Sequence, residues 1–134
     1  DSSSLDVIFS SDDLEHIPNP QKALNEISRV LKAGGRFIFT APFHIESDMN
    51  DVMAKKEHNG SIHYIKEPQY HEDPLNPSEG ILVYTIFGWE IVHMCSRAGM
   101  ECTVNQLHMP LHGILGSNAF VFDCHKKVMK HGKN

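Results

Sequence analysis

The feature that most constrains this chain is an amphipathic segment held between two short apolar runs near its start. "LDVIFS" covers residues 5–10, "NPQKALNEISRVLKAGG" residues 19–35 and "RFIFTAPF" residues 36–43. The first run is apolar and β-branched without strict alternation, the pattern of a parallel strand buried on both faces. In the middle segment Asn19 is a fitting N-cap, and Pro20 suits the first helical position, where its missing N–H costs nothing. Leu24, Ile27 and Leu31 recur at helical spacing, and Ala23 and Val30 widen the stripe. Gly34 and Gly35 are expected to stop the helix, because glycine takes the left-handed C′ conformation cheaply. Strand, helix and strand with short links predict a βαβ unit with parallel strands and a right-handed crossover.

The remainder divides in two. Residues 44–80 lose periodicity. Their first part allows a short helix with Met49, Val52 and Met53 on one face, and "IHYIKEPQYHEDPLNPSEG" is read as an ordered loop region. A connection this long in a compact domain is commonly functional. Order returns with a helix expected over residues 87–98. Thr85 is its expected cap, Trp89, Val92 and Cys95 or Ala98 its buried stripe, and Gly99 its stop. "ECTVNQL" and "NAFVFDCHK" then predict two strands with no helix between them, hence antiparallel. The chain of 134 residues is read as a single domain: a βαβ unit over 1–43, an insert over 44–80, and a helix plus β-hairpin over 81–134.

Composition narrows the partners. The formal net charge is −5, and the one lysine cluster, "HKKVMKHGK", is read as a solvated tail, so no nucleic acid is expected. No apolar run approaches the roughly 20 residues of a membrane span, and the start has neither the basic region nor the apolar core of a signal peptide. Three cysteines without a CxxC pair suit reduced thiols in a cytoplasmic protein.

"LDVIFSSDDLEHIPNPQKALNEISRVLKAGGRFIFTAP" resembles the middle of a class I S-adenosylmethionine-dependent methyltransferase, in the small-molecule branch labelled methyltransferase type 11. That family has "LEH" after a strand ending in small or polar residues, a helix ending in "RVLKPGG", and a following strand ending near a proline. The family usually has an apolar residue where Asp13 stands and proline where Ala33 stands. "EGILVYTIFGWEIVHMCSRAGM" resembles its last helix. The resemblance implies an α/β fold: a partial Rossmann-like methyltransferase sheet, parallel with a terminal antiparallel hairpin. The first three strands and the glycine-rich cofactor loop would lie outside this chain.

The resemblance also assigns roles. Ser10, Ser11 and Asp12, at the carboxyl end of a strand, would meet the methionine part of S-adenosylmethionine; otherwise they are a polar strand-to-loop turn. His16 would line the pocket near the transferred methyl as general base or substrate-orienting group; otherwise it hydrogen-bonds the adjoining loop and fixes the start of the helix. Glu15 reads as a structural or capping carboxylate. Tyr70 and His71 fall in the insert, which covers the substrate side in this family. Imidazole and carboxylate in "YHEDP" suit zinc or iron, but no two histidines have a strong ligand spacing, and Pro110 spoils the pair His108 and His112. No metal is expected.

Two functions follow. One is methyl transfer to an O, N or C nucleophile of a small molecule, by a protein whose truncated form lacks the cofactor loop and is expected to be inactive alone. The other is a non-catalytic half-domain acting as a scaffold. In that case the strand at residues 5–10, deprived of a neighbour, becomes an exposed apolar edge that pairs with a second copy as a homodimer.

Overall fold

In the computed structural model, which describes residues 1–73 and 78–128, the βαβ unit forms as its pattern requires. β1 (Leu5–Ser11) is followed by α1 (Pro20–Val30) and β2 (Leu31–Thr40). β1 and β2 run parallel, with Val7 opposite Arg36 and Ser11 opposite Thr40. The Asn19 side chain accepts a hydrogen bond from the Lys22 backbone N–H at 2.9 Å, and Pro20 opens the helix. The glycines act later than expected. α1 already ends at Leu31, whose φ of −67° and ψ of 140° are extended. Gly34 adopts φ +76° inside a bulge of β2, between the pairs Leu5–Leu31 and Val7–Arg36.

The insert is built from short antiparallel pairs. β3 (Asp51–Val52) pairs with β8 (Thr85–Ile86), β4 (Ala54–Lys56) with β5 (Ile62–Tyr64), and β6 (Tyr70–His71) with β7 (Ile81–Leu82). The expected helix around Met49, Val52 and Met53 is therefore replaced by strands; Met53 is buried while Met49 is exposed. Gly80, at φ +69°, lies so close to β6 that an added Cβ would stand 2.8 Å from the His71 carbonyl oxygen.

α2 (Glu90–Arg97) starts later than the sequence suggests. Thr85 lies in β8, and Phe87 is held extended by its N–H to the Pro42 carbonyl and its own carbonyl to the His44 N–H. The Trp89 and Glu90 N–H groups donate to the Ser47 and Asp48 carbonyls, and Gly88 N–H to Asn50 Oδ1. Tertiary acceptors thus satisfy the N–H groups at this helix start, in place of a side-chain cap. Ile91, Met94 and Cys95 form its buried face, whereas Trp89 is half exposed. Gly99 ends the helix at φ +81°, as expected.

β9 (Met100–Gln106) and β10 (Phe120–Lys126) form the predicted antiparallel hairpin, and β10 inserts beside β2. The main sheet runs β1-β2-β10-β9. One face carries the core: Phe37, Phe39, Phe122 and Cys124 pack with Leu24, Ile91 and Met94 of the two helices. The rings of Phe37, Phe39 and Phe122 stack in sequence across β2 and β10. The expectation that β1 is buried on both faces does not hold. Leu5, Val7 and Phe9 alternate onto one face and are 45%, 42% and 74% exposed, and β1 is an edge strand. Among the described residues no helix is long and apolar enough to cross a membrane. The lysine-rich tail lies partly outside the described residues.

Candidate functional site

The carboxyl ends of β1 and β2 form one rim of the sheet. Here β1 stops abruptly. Asp12 takes φ +52°, a left-handed conformation that costs an L-residue about 1–2 kcal/mol and that aspartate tolerates better than most. Its N–H donates to the Thr40 carbonyl at 3.1 Å, which pins the turn to the neighbouring strand. Ser10 Oγ donates to Asp13 Oδ2 at 2.7 Å, and Ser11 Oγ to Asp12 Oδ2 at 3.3 Å. The polar turn therefore holds its carboxylates with its own hydroxyls.

A cleft of about 520 Å³ opens at this rim, between Phe9, Ser10, Ser11 and Asp13 on one side and Ile38, Phe39, Thr40 and Val121 on the other. Of the three residues that the sequence assigned to the cofactor, Ser10 and Ser11 line it. Asp13 takes the place of Asp12, whose backbone shapes the turn.

The next three residues, Leu14–His16, form a single 3-10 turn. Leu14 is buried, and Glu15 is buried with it at 0% exposure. The turn is fixed by the segment that follows the insert: Tyr84 N–H donates to the Glu15 backbone carbonyl at 2.7 Å. His16 Nδ1 lies 2.8 Å from the Leu82 carbonyl oxygen. A carbonyl only accepts, so Nδ1 carries a proton, and in the neutral ring Nε2 presents a lone pair.

β7 also holds β6, since Leu82 pairs with Tyr70 and Ile81 with His71. This brings His71 Nδ1 to 3.2 Å from His16 Nε2, with the rings edge to face. Glu15 Oε1 stands 3.6 Å from each of these two nitrogens. Neither carboxylate oxygen of Glu15 has a hydrogen-bond partner among the described residues. Burial pushes the Glu15 carboxyl above its ordinary value, against its own backbone N–H and the two imidazoles, which pull it down.

The structure therefore joins two residues the sequence singled out, His16 and His71, through a third that it read as structural. Glu15 caps no helix; it is a buried carboxylate that faces two imidazoles and has no hydrogen-bond partner among the described residues. His16 does contact the adjoining segment, as the structural alternative holds, while its second nitrogen faces the cluster. Tyr70 points elsewhere: it is exposed, and its hydroxyl lies 3.4 Å from that of Tyr64. Hydrogen bonding to Tyr64, with some burial, pushes the Tyr70 phenol above its ordinary value. No spacing signal marks the cluster, because His16 and His71 are 55 residues apart.

Cys95, Cys102 and Cys124 form a second gathering, in the core between α2, β9 and β10. Cys102 faces Cys124 across the hairpin, and Cys124 Sγ donates to Cys95 Sγ at 3.6 Å. These thiols line neither the cleft nor the Glu15 cluster.

Comparison with known proteins bears on the fold. Residues 1–39 match a family model described as "Methyltransferase domain". A stretch of 50 residues is 40% identical to a sarcosine/dimethylglycine N-methyltransferase of Aphanothece halophytica, and 46 residues are 41% identical to one of Halorhodospira halochloris. The matches span 37% and 34% of this chain, and only 18% and 16% of those proteins. Among solved structures, an S-adenosylmethionine-dependent methyltransferase of Mesorhizobium loti aligns with 93% of this chain at a TM-score of 0.55 and 12% identity. A putative one of Listeria monocytogenes aligns with 96% at 0.57 and 15%. The chain covers 64% of each. A Burkholderia thailandensis 1,6-didemethyltoxoflavin-N1-methyltransferase, solved with S-adenosylhomocysteine, aligns with 96% at 0.54 and 14%, and 46% of it is covered. At these identities the structural likeness is one of fold.

Proposed function

We propose that this chain, which has the class I S-adenosylmethionine-dependent methyltransferase fold, supplies the methionine-side wall and the acceptor side of a site that methylates a small molecule. The observation that carries the reading is the rim at the ends of β1 and β2. There a cleft, a left-handed turn and two serine hydroxyls meet, where open α/β sheets bind ligands. The rim suits the ammonium of the cofactor's methionine part, which the carboxylates at Asp12 and Asp13, held by the Ser11 and Ser10 hydroxyls, complement. When bound, S-adenosylmethionine supplies an electrophilic methyl group.

The chain's own part is positioning. Holding donor and acceptor in line removes the entropic cost of a bimolecular encounter. Glu15, His16 and His71 form the acceptor side, with His71 half exposed and His16 nearly enclosed. Their converging acceptor atoms can bind the N–H or O–H of a nucleophile and take up its proton, His16 Nε2 being the candidate base. The two relatives named for N-methylation of sarcosine and dimethylglycine support a small acceptor. Calorimetric titration with S-adenosylmethionine tests the reading. Saturable heat supports it, and none from folded protein refutes binding by this chain alone.

The bare face of β1 favours a second reading, a homodimeric half-domain without catalysis. Phe9 at 74% exposure, beside Leu5 and Val7 on an edge strand, is a surface that a second copy would cover. A monomer in light scattering at high concentration refutes it.

A further inference from the structure

The Glu15, His16 and His71 cluster has the properties of a metal centre, although the sequence shows no ligand motif. We propose that Glu15 Oε1, His16 Nε2 and His71 Nδ1 bind a divalent first-row transition ion, with zinc the best fit.

Three independent observations carry the assignment. The first is geometric. The atoms are separated by 3.2, 3.6 and 3.6 Å. Three atoms so placed lie about 2.0 Å from their common centre, which matches zinc–nitrogen bonds of about 2.0–2.1 Å and zinc–oxygen bonds of about 2.0–2.2 Å. A tetrahedral ion with such bonds sets its ligands about 3.4 Å apart, whereas octahedral magnesium at about 2.1 Å sets them about 3.0 Å apart. The observed triangle fits the tetrahedral case and leaves the fourth position open.

The second is the carboxylate. Glu15 is 0% exposed, and both of its oxygens lack a hydrogen-bond partner among the described residues. A buried carboxylate without a donor is costly unless a cation pairs with it. The third is the orientation of His16. Metal-bound histidines nearly always donate their other N–H to a carbonyl or carboxylate, which fixes the ring and its tautomer. His16 does this through Nδ1 to the Leu82 carbonyl, and its Nε2 lone pair is thereby aimed at the cluster.

Ion binding at the cluster does not depend on methyl transfer; only its task rests on that reading. There, an oxygen or nitrogen of the acceptor would fill the open position. The ion would lower the acceptor's pKa by stabilising its conjugate base, and that proton would pass to solvent. His16 Nε2 would then be a ligand, and the role of base would leave it.

The test uses chelator-treated protein titrated with zinc chloride and, separately, cobalt(II) chloride. The expected result is one equivalent of zinc, with a tetrahedral cobalt spectrum lacking a thiolate charge-transfer band. Glu15→Gln and His71→Ala should each weaken binding at least tenfold. His71→Ala is the safer variant for folding, since His71 lies on an exposed two-residue strand. A charge-transfer band, or binding undiminished in both variants, would assign the metal to the thiol cluster or to surface histidines and overturn the proposal. No saturable binding by folded protein overturns it equally. Because no S-adenosylmethionine is present, failure here leaves the methyl-transfer reading untouched.

Discussion

Glu15→Gln in the presence of a chelator should make this protein more stable, although it alters a residue at the centre of the site. Glu15 is fully buried, and its carboxylate receives no hydrogen bond among the described residues. Leaving such a group unsatisfied costs about 1–3 kcal/mol, more for a charged one. Part of that cost is relieved because burial already raises the carboxyl pKa, so protonation is less unfavourable there than in water. Glutamine keeps the shape, removes the charge, and offers an N–H₂ donor to the lone pair of His16 Nε2. A gain of about 1 kcal/mol is expected, which for a domain of this size is about 3–5 °C in Tm. Thermal melts by circular dichroism at neutral pH, with and without chelator, read it directly. With zinc added the order should reverse, because binding to the native state stabilises only the protein that retains the carboxylate. If Glu15→Gln melts several degrees below the parent in chelator, the carboxylate is structurally paired and the reasoning fails.

Other perturbations test other parts of the account. Asn19→Ala removes the acceptor for Lys22 N–H and should cost about 1 kcal/mol in urea unfolding. Gly88→Ala should cost about 1–3 kcal/mol or more, because its Cβ would collide with the Ser47 and Met49 carbonyls; an unchanged urea midpoint would count against the described helix start. Hydrogen bonding from the Arg36 guanidinium holds the Asp123 carboxyl below its ordinary value. A depressed native pKa stabilises above the unfolded value and is lost as pH falls through the native one. The pair is partly exposed, so Asp123→Asn should lower stability at neutral pH by at most about 1 kcal/mol, with the deficit vanishing in acid. Phe9→Lys should abolish any self-association seen by light scattering, since it places a charge on the exposed face of β1.

The βαβ unit was legible because its signals are local. Asn19, Pro20 and the 3.6-residue stripe of α1 lie within one short segment, and the structure differs in where the chain turns after Val30 and in the exposure of β1. The start of α2 was not legible. Thr85 looks like a cap in sequence, but β3 claims its backbone, and the helix begins where the Ser47 and Asp48 carbonyls await its N–H groups. The short strand pairs of the insert were missed for the same reason, since two-residue strands carry no period. The exposure of β1 follows from its position at the sheet edge, which composition cannot reveal. In the site, the polar turn at Ser10 and Ser11 and the residues His16 and His71 could be named individually. Their junction could not, because it depends on β7 holding β6 against the 3-10 turn.

We place the methionine part of S-adenosylmethionine against the rim formed by Ser10, Ser11, Asp12 and Asp13. The most direct measurement is a titration of ¹⁵N-labelled chain with S-adenosylhomocysteine, following backbone amides. Saturable shifts are expected, centred on residues 10–13 and 40, with β9 unaffected. Well-dispersed spectra that do not change at those amides would contradict it.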